Sequence, residues 1–389
     1  MTSTEKSEND TYTGFEQGPI RPPSEADSLL IRVSRNCPWN HCTFCPVYKG
    51  ARFSLRPFDH VKQDIDLVHK HVELLRTHSD ASEPITQKTV QRVSASVPPE
   101  ETDAFHAALR WFVGGLRSVF IQDANSLVIK PGALIEILKH LKKRFPWTER
   151  VTSYARSHTI TRISDTDLRA MRKAGLNRIH IGMESGSDEV LKRVRKGTTK
   201  DMHIKAGVKV KSAGIELSEY VMPGLGGTEL SETHALETAD AVNRINPEFI
   251  RLRTLAIPNR VPLYEEYREG RFQKPTDLMM TREILLFIEN LEGISSTLKS
   301  DHILNLFQEI EGAFPEDKDK MTDLLNSFLG MNPERQCLYQ VGRRLGYFSR
   351  LTDMESPHRL KKVQKVCREN NITPDNVDSV VEEIMKRFI

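Results

Sequence analysis

The stretch LLIRVSRNCPWNHCTFCPVYKG, residues 29–50, joins an aliphatic run to a cluster of three cysteines. Residues 29–34 are rich in leucine, isoleucine and valine, and they predict a buried strand. Cys37, Cys42 and Cys45 follow within nine residues. Three thiolates from one loop can hold three corners of a cubane iron–sulfur cluster, which leaves one iron free to bind another ligand. The stretch therefore predicts a reactive metal centre directly after a strand.

Two other interpretations of these cysteines stay open on the residues alone. His41 offers a fourth ligand for a structural zinc ion, although it is adjacent to Cys42 and neighbouring side chains rarely converge on one tetrahedral ion. The three cysteines can also be unrelated buried residues. The chain has five cysteines in all, and an odd number makes a poor disulfide framework. The other two, Cys337 and Cys367, are interpreted as ordinary small residues in helices.

Around that stretch, short aliphatic runs alternate with helical patterns. The runs predict six strands, at residues 29–34, 119–122, 151–154, 178–182, 215–221 and 249–254. Helical spacing separates them, as in Val61, Ile65, Val68, Val72 and Leu75. This alternation predicts parallel βαβ units of the α/β class, arranged as an open or closed barrel or as a doubly wound sheet.

The pattern divides the chain into three regions. Residues 1–27 are polar and predict a disordered leader, and residues 28–270 carry the α/β pattern. After about residue 275 the strand signal disappears, so residues 277–389 predict a helical C-terminal domain. Within it, Ile303, Leu304, Phe307 and Ile310 predict a helix capped by Ser300.

Composition excludes several classes of protein. The 389 residues include 56 Lys and Arg against 53 Asp and Glu, a net charge of +3, which argues against a dedicated nucleic-acid binder. No apolar stretch is long enough to cross a membrane. The polar start has no hydrophobic core of the kind found in secretory signals, so we expect a cytoplasmic protein.

The cysteine loop resembles the cluster motif of the radical S-adenosylmethionine (SAM) superfamily. Its commonest form is Cys-x3-Cys-x2-Cys, and this chain has Cys-x4-Cys-x2-Cys with the aromatic Phe44 before the last cysteine. Residues 181–192 are similar to the fourth-strand motif of oxygen-independent coproporphyrinogen oxidases and tRNA methylthiotransferases. Residues 119–126, 221–227 and 252–258 resemble other strand ends of those branches. The resemblance covers about residues 29–265 and implies a partial (βα)6 TIM-like barrel with a C-terminal helical appendix.

The resemblance also implies a function and a site. It implies a [4Fe-4S] cluster on Cys37, Cys42 and Cys45, reduced by a donor of the flavodoxin or ferredoxin type. SAM would be cleaved to a 5′-deoxyadenosyl radical that takes hydrogen from an unidentified substrate. Matching positions place the SAM contacts at Phe44, Gln122, Asp123, Asn125, Tyr154, Arg156, Glu184, Lys196 and Glu219.

Alternatives remain for the site and for the whole chain. Glu184 can instead pair with Arg156 or Lys196 inside the mouth of the barrel. The chain can instead be a porphyrin-handling protein like the coproporphyrinogen oxidases, or a non-catalytic iron–sulfur or zinc binding module. An RNA modification factor would need a basic appended domain, which the near-balanced charge does not suggest.

Overall fold

A computed structural model describes residues 11–79 and 85–386 of the chain. The chain divides into two compact units, each assembled from separate segments. Of the described residues, the first unit comprises 11–38, 50–79, 85–179 and 213–215, and the second comprises 39–49, 180–212 and 216–386.

The strands are short and most of their residues are buried. They are β1 Leu29–Arg32, β2 Ser34–Arg35, β3 Ser54–Leu55, β4 Ser118–Gln122, β5 Arg150–Ala155, β6 Leu176–Glu184, β7 Glu216–Val221, β8 Phe249–Leu252, β9 Thr297–Lys299 and β10 Gly312–Ala313. Strand β6 begins in the first unit and ends in the second.

Helices separate most of these strands along the chain. They are α1 Phe58–Thr77, α2 Gln87–Ser94, α3 Thr102–Val113, α4 Pro131–Arg144, α5 Ser157–Ile160, α6 Asp165–Ala174, α7 Asp188–Arg193, α8 Lys200–Ser212, α9 Ser231–Ile245, α10 Pro262–Arg268, α11 Asp277–Glu289, α12 Lys318–Leu329, α13 Pro333–Arg344, α14 Pro357–Glu369 and α15 Val377–Met385. Within the described ranges, every helix is too short or too polar to span a lipid bilayer.

The first unit is built on three parallel strands in the order β1-β4-β5. Leu29 pairs with Val119, and Val119 pairs in turn with Val151, so these aliphatic runs form the centre of its core. Helix α1 packs against α3 and α4 and buries the predicted stripe from Val61 to Leu75. The periodic apolar residues therefore become the buried face of a helix, as the pattern predicts.

The second unit contains the strand order β7-β8-β9-β10, in which only the last pair is antiparallel. Parallel strands joined by helices confirm the predicted α/β class and are consistent with a partial TIM-like barrel. The expectation that strands end near residue 275 is wrong, because β9 and β10 follow it. Each is only two or three residues long, which is too short for a period-2 pattern.

The helix predicted after Ser300 is also absent, since residues 300–311 are irregular in the structure. Polar side chains satisfy the backbone there instead. Ser300 Oγ donates to the Phe307 carbonyl at 2.6 Å, and Asn305 Nδ2 donates to the Leu252 carbonyl at 2.9 Å. Leu304, Phe307 and Ile310 are buried without forming a helix. The helix-like spacing of these residues therefore reflects their burial and does not indicate a helix.

Residues 11–27, within the predicted disordered leader, make specific contacts in the first unit, whereas residues 1–10 lie outside the described residues. The Gln122 side chain accepts from the Gly18 amide at 2.8 Å and donates to the carbonyls of Gly18 and Ile20 at 2.7 and 2.8 Å. Glu16 pairs with Arg32 at 2.6 Å and with Arg35 at 2.8 Å. This segment is therefore held by charged and polar side chains.

Candidate functional site

The cysteine loop leaves β2 and carries three cysteines that form no disulfide and are all partly exposed. Cys42 and Cys45 pack against a group of buried apolar residues, which we call the apolar cluster: Phe44, Val190, Val194, Met222, Leu225, Leu230, Leu255, Ile257, Val261, Leu263 and Phe272. The buried Thr43 fixes the loop, because its amide donates to the Val194 carbonyl at 3.0 Å and its carbonyl accepts from the Leu263 amide at 3.0 Å.

The donor set in this loop fits an iron–sulfur cluster. Among the residues that the structure describes, no three His, Cys, Asp or Glu side chains converge on a single ion. A cubane needs no such convergence, because each thiolate binds a different iron. Accessible thiols beside an apolar wall suit a cluster that must exchange electrons and also bind a ligand.

Two predicted SAM contacts, Glu184 and Lys196, form an ion pair in the second unit. Glu184 ends β6, and its Oε1 lies 3.0 Å from Lys196 Nζ. The Glu184 carbonyl accepts from the Met222 amide at 2.9 Å, and Glu184 adopts a left-handed φ of +65°. Lys196 Nζ also lies 5.9 Å from the centroid of the Phe44 ring. The structure thus brings Glu184, Lys196 and the cysteine loop together. Pairing with Lys196 is one of the alternatives to a SAM contact that the sequence leaves open for Glu184.

Glu219 is a buried carboxylate on β7 in the same unit. It has no exposed surface, and neither of its carboxylate oxygens has a hydrogen-bond partner among the described residues. Burial raises the pKa of Glu219 well above its usual range; Lys196 lowers it and Glu184 raises it. A buried carboxyl with no partner is rare and costly, so it points to a ligand with a donor group.

A buried network that was not predicted from the sequence holds the ends of β6 and β7. Ser185 Oγ lies 2.8 Å from His234 Nδ1, and His234 Nε2 lies 3.1 Å from the Met222 carbonyl. Glu283 accepts from the Gly224 amide at 2.7 Å and lies 3.6 Å from His234. In the sequence, the one signal for this network is the position of Ser185, directly after Glu184. The network fixes the two segments that follow Glu184 and Glu219.

The other predicted contacts, Gln122, Asp123, Asn125, Tyr154 and Arg156, lie in the first unit at the ends of β4 and β5. Asp123 is buried and pairs with Arg32 at 2.6 Å. Asn125 accepts from the Arg156 amide at 3.1 Å and donates to Thr159 Oγ1 at 2.8 Å, so it joins the two strand ends. Tyr154 packs edge-on against Phe120. The side-chain amide of Gln122 is engaged by residues 18–20.

Comparison with known proteins gives the family. Residues 31–239 match the family model of the radical SAM superfamily. A tRNA uridine(34) acetyltransferase of Methanocaldococcus infernus is 25% identical over 111 residues, which cover 28% of this chain and 21% of that protein. A CDK5RAP1-like protein of Caenorhabditis elegans is 22% identical over 60% of this chain and 41% of its own length. The chain thus spans between a fifth and two fifths of these relatives.

Among solved structures, coproporphyrinogen III oxidase (HemN) from Escherichia coli aligns with a TM-score of 0.45 and 15% identity, covering 68% of this chain and 52% of that one. The family model covers more than half of the chain, from β1 into α9. Enzymes of this family use a [4Fe-4S] cluster and SAM. The chain belongs to the radical SAM superfamily and is an enzyme that uses these two cofactors.

Proposed function

We propose that this enzyme binds SAM at the group formed by Glu184, Lys196 and Glu219, and cleaves it reductively to start radical chemistry on a substrate. The observation that carries the proposal is the unpartnered Glu219 beside the Glu184–Lys196 pair. When bound to Cys37, Cys42 and Cys45, a reduced cluster supplies the electron that splits SAM into methionine and a 5′-deoxyadenosyl radical, which takes hydrogen from substrate.

The three charged side chains suit the amino-acid part of SAM. With both carboxyls ionised, two negative charges face one positive charge, so the group accepts a further cation. The SAM ammonium supplies that cation, and the SAM carboxylate supplies a partner for Lys196. Glu184 is then free to accept hydrogen bonds from the ammonium or from ribose hydroxyls. SAM binding would also give the Glu219 carboxyl, which has no hydrogen-bond partner among the described residues, a donor to pair with.

Phe44 has two roles in this proposal. Its ring belongs to the apolar cluster and is nearly buried, with 7% of its surface exposed. It offers a flat face for the adenine and excludes water beside the cluster loop. Asp123, Asn125, Tyr154 and Arg156 stay predicted contacts, and Gln122 is the least suited of the predicted residues because its side-chain amide already binds residues 18–20.

The proposal is tested with protein reconstituted anaerobically with iron and sulfide. We expect about four irons per chain, as for one cubane, and formation of 5′-deoxyadenosine and methionine when SAM and a strong one-electron reductant are added. Replacing Cys37, Cys42 or Cys45 by Ala should abolish both results. Cys337→Ala and Cys367→Ala are the controls and should leave the iron content unchanged.

The SAM contacts are tested by affinity. Lys196→Gln and Glu184→Gln should retain the iron and weaken SAM binding by roughly 10- to 150-fold, as expected for one lost charge-assisted hydrogen bond. Lys192→Gln, which changes an exposed lysine on α7, is the matched control. Unchanged affinity together with a lowered melting temperature would remove Glu184 from the site. A colourless protein with one zinc, or an iron protein that never cleaves SAM, would support a binding module instead.

A further inference from the structure

We propose that Trp39, which lies in the lengthened first gap of the cysteine motif, is a positioning residue that fixes Lys196 against the cluster loop and so sets the affinity for SAM. The inference rests on the proposed role of Lys196 and concerns residues of the second unit only. It gives a function to one residue of a gap that is one residue longer than the commonest spacing.

The gap between Cys37 and Cys42 bends at residues 38 and 39 and has a left-handed residue at Asn40. Its φ is +46°, in the left-handed region that asparagine tolerates better than most residues. Asn40 Nδ2 donates to the Tyr48 carbonyl at 2.6 Å, and the Asn40 carbonyl accepts from Lys49 Nζ at 2.9 Å. The longer gap is therefore held by hydrogen bonds at Asn40, and the preceding Trp39 contacts the segment that follows α7.

Trp39 contacts that segment on both sides of Lys196. Its Nε1 donates to the Arg195 carbonyl at 2.8 Å. Its ring lies against Gly197, where an added Cβ would come within 2.3 Å of Trp39 Cζ2. Gly197 also has a φ of +70°, so both the backbone conformation and the indole require glycine here. The residues before and after Lys196 are thus held by one side chain.

The same loop fixes the start of this segment. The Thr43 amide donates to the Val194 carbonyl at 3.0 Å, so three of the four residues 194–197 contact the loop through Thr43 or Trp39. Arg195 has a left-handed φ of +53°, a conformation that persists in a non-glycine residue only where its surroundings impose it. Without the indole, we expect the Arg195–Gly197 backbone to relax and Lys196 to lose its fixed position beside Glu184.

A purely structural role for Trp39 makes a different prediction. If the indole only fastens the loop, its loss should lower thermal stability and iron content, while the SAM affinity of chains that retain a full cluster should stay unchanged. If it positions Lys196, the affinity should fall in chains that retain four irons. Measuring iron content and SAM affinity on the same samples separates the two roles.

The variants are Trp39→Ala, Trp39→Phe and Gly197→Ala, with Trp147→Ala in the first unit as the matched control. We expect SAM affinity to fall roughly 10-fold in Trp39→Ala, the equivalent of a lost hydrogen bond and ring contact, and less in Trp39→Phe, which keeps a ring and loses the donor. Hydrogen exchange at residues 194–198 of the cluster-free protein should rise in Trp39→Ala and Gly197→Ala. That readout does not depend on cluster loading or activity.

A double-mutant cycle with Lys196→Gln decides whether the effect passes through Lys196. We expect Trp39→Ala to cause little further loss once Lys196 is replaced. A full additional 10-fold loss in that background, or unchanged affinity in Trp39→Ala and Trp39→Phe, would overturn the inference. If Lys196→Gln binds SAM with unchanged affinity, the proposed role of Lys196 in SAM binding is wrong. That outcome is distinct from a result that contradicts only the role of Trp39.

Discussion

Among single residues, Glu219 has the clearest pH signature. Burial raises the pKa of this carboxyl, so the folded protein retains a proton that the unfolded chain releases above its ordinary value of 4.5. The stability that this proton gives is fully present below pH 4.5 and falls as the pH rises. Glu219→Gln removes the titration. We therefore expect it to stabilise the SAM-free protein near neutral pH by about 1–3 kcal/mol, with no gain at pH 4.

Urea unfolding at several pH values between 4 and 8 measures this effect. Glu189→Gln, on the exposed side of α7, is the control and should change stability by less than about 0.5 kcal/mol throughout. The same Glu219→Gln protein should bind SAM more weakly, because the carboxylate is lost. Destabilisation by Glu219→Gln at neutral pH would show that the carboxyl has a partner in solution.

Among the secondary-structure elements, β6 and β7 have ends that are held by a buried network. Ser185, His234 and Glu283 come from the segment after β6, from α9 and from α11, and all three are buried. His234 donates through Nε2 to the Met222 carbonyl, which leaves Nδ1 to accept from Ser185. In the sequence, His234 and Glu283 are ordinary positions of helical patterns. Their hydrogen-bond partners are distant along the chain, so the sequence does not reveal the network.

The segment before β1 contains Glu16, whose carboxylate pairs with Arg32 and Arg35. Burial opposes ionisation of Glu16, yet the hydrogen bond from Arg35 and the charges of Arg56, Arg35 and Arg32 lower its pKa. Its stabilising effect is therefore present above the ordinary glutamate pKa and is lost as the pH falls. Since Glu16 is partly exposed, we expect Glu16→Gln to cost only about 1 kcal/mol at neutral pH.

Limited proteolysis followed by mass spectrometry is the sensitive readout for this segment. Cleavage within residues 11–27 should accelerate in Glu16→Gln at pH 7, and the difference from the parent protein should shrink at pH 4. Glu100→Gln, at an exposed glutamate, should cleave like the parent. Equal cleavage of all three proteins at pH 7 would mean that the arginines do not hold the segment through Glu16.

Over the whole molecule, local signals predict the elements well. The first helix, the central strands and the α/β class follow from spacing that depends only on which residues are buried. Helix α6 begins where Ser164 Oγ accepts from the Asp167 amide at 3.0 Å, and it ends at Gly175 with a φ of +120°. Such caps are formed within one turn, so they are visible in sequence.

What the sequence could not predict depends on tertiary contacts. Cys337 on α13 and Cys367 on α14 are hydrogen-bonded to each other, although nothing in their spacing indicates it. This bond, together with burial, raises the pKa of the Cys337 thiol. The sequence equally does not reveal that the Gln122 side chain forms hydrogen bonds with residues 18–20. A motif position identifies a residue but not the segment that it contacts. In both cases, packing between distant segments decides the partner.

The cluster loop has a further consequence for the whole second unit. Thr43 contributes two backbone hydrogen bonds, to Val194 and from Leu263, and Phe44 contributes a ring to the apolar cluster. A bound cluster fixes the cysteines on either side of Thr43 and Phe44, so it should stabilise these contacts by linkage. In the cluster-free protein we expect hydrogen exchange to rise roughly tenfold or more at residues 40–45 and 261–265.

Hydrogen exchange of reconstituted and cluster-free protein, compared peptide by peptide, tests this expectation. The opening should stay local, because Phe328 on α12 and Tyr339 on α13 pack with Phe307, with ring centroids 5.1–5.5 Å apart, and none of the three belongs to the apolar cluster. Peptides from α12 and α13 should therefore exchange at the same rate in both forms. Faster exchange throughout these helices would show that the cluster supports the fold of the whole unit, and unchanged exchange at residues 40–45 would show that the loop is rigid without it.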